Sequence, residues 1–289
     1  MSLRELIDAA AARLDAAGVA FGHGTTNAQD EAAWLVLWKL SLGWDALDDL
    51  DGIRVEAAQA AAVHALVGER ISSRKPTAYL TGEAWLQGVP FFADERSIVP
   101  RSLIAEPLVD GTIERWLPEQ PARVLDLCTG NGSLAVLAAL AWPDADVTAT
   151  DLSADALALA ARNVARHALD DRIHLLEGDG LLPLAGLPPF DLILCNPPYV
   201  NARSMARLPA EYQAEPALAL AGGDDGMDFI RVLLKGVHAH LAPKGVLVLE
   251  VGNEAVHFDN AFRRLSPVWL DTEATQAQVL LLTREMLNP

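Results

Sequence analysis

The sequence predicts an α/β protein in which a small helical domain precedes a doubly wound, mostly parallel sheet whose last two strands pair antiparallel. Three observations predict it. From Ala122 onward, short apolar runs alternate with stretches of helical periodicity, the pattern of a parallel sheet covered by helices. Before residue 75 no strand pattern occurs, and apolar residues recur at helical spacing. Near the C-terminus the apolar runs 268–271 and 279–283 are separated only by residues 272–278, too short for a helical crossover.

Each element has its own signal. Leu3, Leu6, Ile7, Ala10 and Leu14 share one face of a first helix, with Gly18 as its stop. Thr26 or Asn27 can cap a second helix carrying Ala32, Leu35, Val36 and Leu40, with Gly43 just beyond it. A third runs over 55–72 and is closed by Pro76. Tyr79-Leu80-Thr81-Gly82 and Gly88-Val89-Pro90 are turn chemistry around Leu86, Phe91 and Phe92, which predicts a linking β-hairpin. After Pro100 a helix is expected over 103–116. Strands are expected at 124–127, 147–150, 173–177, 190–195 and 246–251, with helices at 134–140, 155–167 and 227–241. The domain limits follow as 1–75 for the helices, 76–100 for the hairpin linker and 101–289 for the sheet.

The 289 residues are 51% hydrophobic and 21% charged, enough for a substantial core and about two domains. The formal charge of −17 disfavours stable binding to nucleic acid and favours a basic protein partner. Arg4 and Glu5 fall where a secretory signal would be apolar. The longest uncharged stretch, 127–143, contains Gly130, Asn131 and Gly132, so no membrane span is expected and the chain reads as cytoplasmic. The two cysteines, Cys128 and Cys195, are too few for a disulfide framework and read as packing residues. No metal site is expected, since His238 and His240 are two apart on a predicted helix and face different ways.

Three motifs carry chemistry. Asp126-Leu127-Cys128-Thr129-Gly130-Asn131-Gly132 joins a predicted strand to a predicted helix, where an open α/β sheet binds ligands. Its small residues admit close approach to the backbone. The spacing lacks the third glycine of a dinucleotide turn, and Asp126 would repel a pyrophosphate but suit an ammonium, as in S-adenosylmethionine. Alone, this run could equally be an ordinary strand–helix turn. Asp151, at the end of the next strand, stands about 20 residues beyond the glycines, where an acid accepts ribose hydroxyls. Leu152 follows it. In Glu177-Gly178-Asp179-Gly180 the third strand ends with an acid that could meet an adenine amino group or simply be solvated. The third motif, Asn196-Pro197-Pro198-Tyr199, follows a buried strand. Two prolines remove two donors, Asn196 adds an acceptor oxygen, and Tyr199 offers a ring to a planar group. Such a slot would hold the two hydrogens of an NH2 group, on an adenine base or on a carboxamide. It would favour the pyramidal nitrogen of a methyl-transfer transition state.

The run from Asp126 to Gly132 together with Asn196-Pro197-Pro198-Tyr199 resembles the bacterial protein-(glutamine-N5) methyltransferases. Two branches of that family act on peptide-chain release factors and on large-subunit ribosomal protein L3. Tyr79-Leu80-Thr81-Gly82-Glu83-Ala84-Trp85 and Val99-Pro100-Arg101-Ser102 look like the L3 branch. So do Leu208-Pro209-Ala210-Glu211-Tyr212, Glu215-Pro216, Gly226 and Glu250-Val251-Gly252-Asn253. The release-factor branch usually carries a Pro-Arg-Pro-Asp-Thr-Glu-like run where Ser102-Leu103-Ile104-Ala105-Glu106 follows Pro100-Arg101 here. The family often has Gly at the position of Cys128. The resemblance implies a seven-stranded, Rossmann-like class I methyltransferase sheet and S-adenosylmethionine as cofactor. The cofactor would be held by Asp126, Cys128, Thr129, Gly130, Asn131, Gly132, Asp151, Leu152, Asp179, Gly180 and Asn196. Asn196, Pro197, Pro198 and Tyr199 would form the catalytic slot, and Arg101 would either line the site or form a structural ion pair. The expected reaction is N5-methylation of a glutamine in L3, with a release factor as the alternative substrate and an adenine N6-amine as a more distant one.

Overall fold

The structure, a computed structural model, describes residues 1–273 and 276–288. Its packing divides into two units, residues 1–84 with 208–214, and residues 85–207 with 215–289. The expected limits of 1–75, 76–100 and 101–289 place neither the break after residue 84 nor the return of 208–214 to the helical unit. Local periodicity carries no information on which distant segment completes a unit.

The helical unit contains α1 (Leu3–Ala16), α2 (Ala28–Leu40), α3 (Ala57–Ser73) and α4 (Thr77–Thr81). A capping box starts α1: Ser2 Oγ accepts from Glu5 N–H, and the Glu5 carboxylate accepts from Ser2 N–H. Asn27 caps α2 through Asp30 N–H at 2.9 Å. Leu6, Leu14, Leu35, Val36, Val63 and Val67 form the core of this unit. The turn expected at 79–82 is instead α4, which follows Pro76 and ends at Gly82 with φ +72°. Arg70 is buried among carboxylates. Its Nε donates to Glu31 at 2.7 Å, Nη1 to Glu211 at 3.3 Å and Nη2 to the Ala20 carbonyl at 3.1 Å. Arg74 Nη1 also donates to Glu211, at 3.2 Å. Burial pushes the Glu211 carboxyl up, but backbone N–H groups and the two arginines outweigh it and hold the group below its usual value.

The hairpin is β1 (Glu83–Leu86) and β2 (Val89–Phe92), and α5 (Ala105–Val109) follows. The sheet unit then runs β3 (Arg123–Leu127), α6 (Ser133–Ala141), β4 (Asp146–Asp151), α7 (Ala154–Arg166), β5 (Ile173–Glu177) and β6 (Phe190–Cys195). Two single-turn helices follow, α8 (Ala202–Met205) and α9 (Ala210–Gln213), the second within the segment that belongs to the helical unit, and then α10 (Asp228–Gly236), β7 (Leu241–Glu250), α11 (Ala255–Ala261), β8 (Val268–Leu270) and β9 (Val279–Thr283). The seven strands lie in the order β5-β4-β3-β6-β7-β9-β8. The first five are parallel, and β9 runs antiparallel to both β7 and β8, as expected. Of the expected link between β8 and β9, residues 274 and 275 lie outside the described residues.

Two expected helices are shorter than their periodicity suggests. The 103–116 stretch breaks at Gly111, whose φ is +80°, while Asp110 accepts from Thr112 N–H at 2.8 Å in a turn. The 227–241 stretch leaves the α-helix after Gly236, and residues 237–240, with His238 and His240, form a tighter turn. Leu241 is already a strand residue paired with Phe190. Sheet pairing outcompetes the last helical turn there.

Arg70→Met keeps volume but leaves Glu31 and Glu211 buried with one cation fewer. Removing one partner of a buried ion pair costs about 3–5 kcal/mol. Urea unfolding of the full chain should show a loss of that size, and an unchanged midpoint would rule out the network as a support of the helical unit.

Candidate functional site

The site is built from loops at the carboxyl ends of the parallel strands. After β3 the chain makes three left-handed residues, Cys128 (φ +62°), Gly130 (φ +56°) and Gly132 (φ +81°), before α6 starts. The left-handed backbone at Cys128 explains why glycine suits that position. A Cβ on Gly132 would lie 3.1 Å from that of Ala160 on α7, and one on Gly130 would lie 2.7 Å from Ser97 Oγ. The two glycines therefore serve close packing as well as turning.

Asp126 supports this loop from beneath. It is 1% exposed, and its Oδ2 accepts from Thr129 Oγ1 at 2.5 Å and from Ala135 N–H at 3.0 Å. Among the described residues its Oδ1 has no hydrogen-bond partner. Burial pushes its carboxyl up to about 7, although the Thr129 and Ala135 hydrogen bonds work in the opposite direction. Asn163 on α7, fully buried, ties the loop to β2: its Nδ2 donates to the Asn131 carbonyl at 2.9 Å and its Oδ1 accepts from Phe92 N–H at 2.7 Å.

Above the loop lies a cleft of about 850 Å³, counted out to its solvent mouth. It gathers Cys128, Gly130, Asp151, Leu152, Asp179, Gly180, Asn196 and Pro198, contributed by the ends of four strands. Asp126, Thr129, Asn131, Gly132, Pro197, Tyr199 and Arg101, also expected in the site, are not among its lining residues. The first four belong to or brace the glycine loop instead of facing the cleft. The Asp151 carboxylate accepts from Gly130 N–H and Ser153 N–H, both at 2.9 Å. A carboxylate has about four lone-pair sites, so about two stay available to a ligand. The remaining walls were not anticipated. Arg96, Ser97 and Ile98 come from the stretch read as linker, and Leu218 and Phe229 come from beyond the Asn-Pro-Pro-Tyr run.

Tyr199 is held from several sides. Its hydroxyl donates to Glu250 Oε1 at 2.8 Å, and Glu250 Oε2 accepts from Ser102 Oγ at 2.7 Å and Leu103 N–H at 2.9 Å. A Cβ on Gly252 would collide with the Tyr199 ring, and one on Gly222 or Gly226 with its backbone. Val200 bridges to Ala221, which continues the slot as a short ladder. Asn201 Nδ2 donates to Glu254 at 2.5 Å. Burial is the main cause that raises both the Tyr199 and the Glu250 ionisation points. Arg101 forms a two-pronged ion pair with Glu215, at 2.5 and 2.7 Å, which is one of its two expected roles. Glu250, Glu254, Glu215 and Asn163 were not singled out as site residues. Two sequence signals touch Glu250: it closes an apolar strand, as Asp151 does, and it opens the Glu250-Val251-Gly252-Asn253 run of the family resemblance.

Two outcomes follow from this geometry. Asp126 takes up a proton on folding between its ordinary value of 3.8 and about 7, so its contribution to stability falls as pH rises through that window. The stability of Asp126→Asn relative to wild type should therefore grow by roughly 2 kcal/mol or more between pH 5 and 8, read from thermal melts across pH. A flat difference would contradict the raised carboxyl. Gly252→Ala, strained at φ +51° and blocked by Tyr199, should lose stability by about 1 kcal/mol or more. A melting point equal to wild type would show that the ring has room to move.

Residues 113–213 match the family model described as the methyltransferase small domain. A solved structure of the hMettl16 catalytic domain in complex with MAT2A 3'UTR hairpin 6 shares the fold. Its TM-score is 0.52 and its identity 13%, with coverage of 79% of this chain and 82% of that one. A curated ribosomal protein uL3 glutamine methyltransferase of Bordetella pertussis is 54% identical, over 99% of this chain and 96% of that protein. Its counterpart in Burkholderia pseudomallei is 48% identical, over 97% and 94%. Identity of this extent over nearly the whole length shows that the chain belongs to the ribosomal protein uL3 glutamine methyltransferase family.

Proposed function

We propose that this enzyme transfers a methyl group from S-adenosylmethionine to the side-chain amide nitrogen, N5, of a glutamine in ribosomal protein uL3. The observation that carries the chemistry is the position of Asn196. It stands at the end of β6 and lines the same cleft as the glycine loop and Asp151. Two relatives bearing the uL3 glutamine methyltransferase name support the target. A formal charge of −17 suits a basic ribosomal protein. Cytoplasmic location fits a ribosomal substrate, and among the described residues no helix is long and apolar enough to cross a membrane.

The residues present fit the cofactor. Thr150 Oγ1, in the cleft wall, is buried without a partner among the described residues, so this end of the sheet has polar capacity left for a ligand. The spare lone pairs of Asp151 suit ribose hydroxyls, and Asp179 suits an amino group. Asp126 would support an ammonium through the loop it braces, and Cys128, Gly130, Leu152 and Gly180 would form the contact surface. When bound, S-adenosylmethionine supplies an electrophilic methyl group on sulfur.

The slot residues do the remaining work. An amide nitrogen has its lone pair delocalised into the carbonyl and is a poor nucleophile. Asn196 Oδ1 and the Pro197 carbonyl would accept its two hydrogens, which returns density to nitrogen and favours pyramidal geometry. Pro197 and Pro198 hold the stretch stiff, and the Tyr199 ring flanks the flat amide. Alignment within the cleft contributes through proximity. The amide proton becomes acidic once nitrogen carries the methyl group, so no strongly basic side chain is required.

Intact-mass measurement of purified uL3, after incubation with enzyme and cofactor, should show a gain of one CH2, and no gain would refute the reading. A release factor in the same assay tests the alternative substrate. Asn196→Ala should lose transfer by about a hundredfold or more while calorimetric cofactor affinity stays near wild type. Full activity in that variant would exclude the slot.

A further inference from the structure

We infer that Glu250 is a positioning residue for methyl transfer, acting through Tyr199. This inference deepens the proposed reaction and rests on it for its kinetic readout. Glu250 is 3% exposed, closes β7 and lies outside the cleft lining, so it has no route to the reacting atoms except through a neighbour. That neighbour is the tyrosine of the slot, whose hydroxyl hydrogen is committed to Glu250 Oε1 at 2.8 Å.

Two consequences follow from the bond. First, it fixes the ring. The ring lies against Gly252, two residues beyond Glu250, where a side chain would collide with it. Tyr199 is thus held at its hydroxyl by Glu250, on one flank by Gly252 and along its backbone by Gly222 and Gly226. Second, it sets polarity. A phenol has one hydrogen to donate. With that hydrogen on Glu250, the oxygen can only accept from anything else. Toward a substrate nitrogen the slot would then offer acceptor oxygens, Asn196 Oδ1, the Pro197 carbonyl and the Tyr199 hydroxyl. That array suits an NH2 group and discriminates against a substrate oxygen in the same place. Glu250 is anchored in turn by Ser102 Oγ and Leu103 N–H, on the segment that follows Arg101. The acid thereby connects the post-hairpin segment, the last parallel strand and the slot.

The test is a double-mutant cycle on the full-length enzyme with uL3 as substrate. In Glu250→Gln the single amide oxygen is claimed by Ser102 Oγ and Leu103 N–H, which turns the NH2 toward Tyr199 and removes its acceptor. Tyr199→Phe breaks the same bond from the other side and leaves the buried carboxylate with its other two donors. Each should lower kcat by about tenfold or more, with the KM for S-adenosylmethionine unchanged. The double variant should be no slower than Tyr199→Phe alone, because the second change removes nothing further. Multiplying losses, or wild-type kcat in Glu250→Gln, would overturn the inference. A second measurement does not depend on turnover. The Tyr199 hydroxyl proton should give a slowly exchanging magnetic resonance signal in the wild type and not in Glu250→Gln. Its absence from the wild type overturns the positioning bond. If the signal is present while uL3 gains no methyl group, the reading of the substrate fails and the bond stands.

Discussion

The site depends on one pairing constraint, the parallel register between β3 and β6. Leu127 lies opposite Cys195, so the two strands end together. The glycine loop leaves one end and Asn196 leaves the other. The chain first builds outward from β3 through β4 to β5, then returns to the other side of β3 with β6 and β7. Helices leaving the sheet at this reversal go to opposite faces and open a crevice between them. The glycine loop and the Asn-Pro-Pro-Tyr run are neighbours for that reason, although about 65 residues separate them in sequence.

Buried acids hold the loops around that crevice. Asp126 binds the first loop to the start of α6. Glu215 fixes the segment carrying Pro216 and Leu218 to Arg101 and to Val99 N–H. Glu250 holds Tyr199, and Glu254 holds Asn201. Each acid accepts from two or more donors, which keeps a desolvated carboxylate tolerable and gives an irregular loop a single geometry. Much of the strong negative charge lies on the surface, but these few acids are structural and hold the loops around the cleft from outside its lining.

The motifs quoted for the family acquire physical reasons. Gly252 clears room for the Tyr199 ring, and Gly226 for the Tyr199 backbone. Glu211, in the Leu208–Ala214 segment, is the partner of Arg70 and Arg74 inside the helical unit. Cys128 occupies a left-handed position that glycine adopts without strain. None of these residues attracts notice by chemistry alone, since an isolated glycine or acid in a loop has many uses.

The sequence by itself determined the α/β class, all seven strands of the main sheet to within a few residues, and the cleft residues Gly130, Asp151 and Asn196. These are local properties, because apolar periodicity, glycine turns and acids closing apolar runs are written in consecutive residues. It overran two helices, at Gly111 and Gly236, where turn geometry and sheet pairing defeat periodicity. The tertiary structure alone decided which residues face the cleft and which brace it. Asp126 belongs to the second group because burial and two donors draw its carboxylate under the loop. It alone also brought Glu250 to Tyr199 across 51 residues and Glu215 to Arg101 across 114. Such pairings follow from strand order and loop return in three dimensions, and no local pattern encodes them.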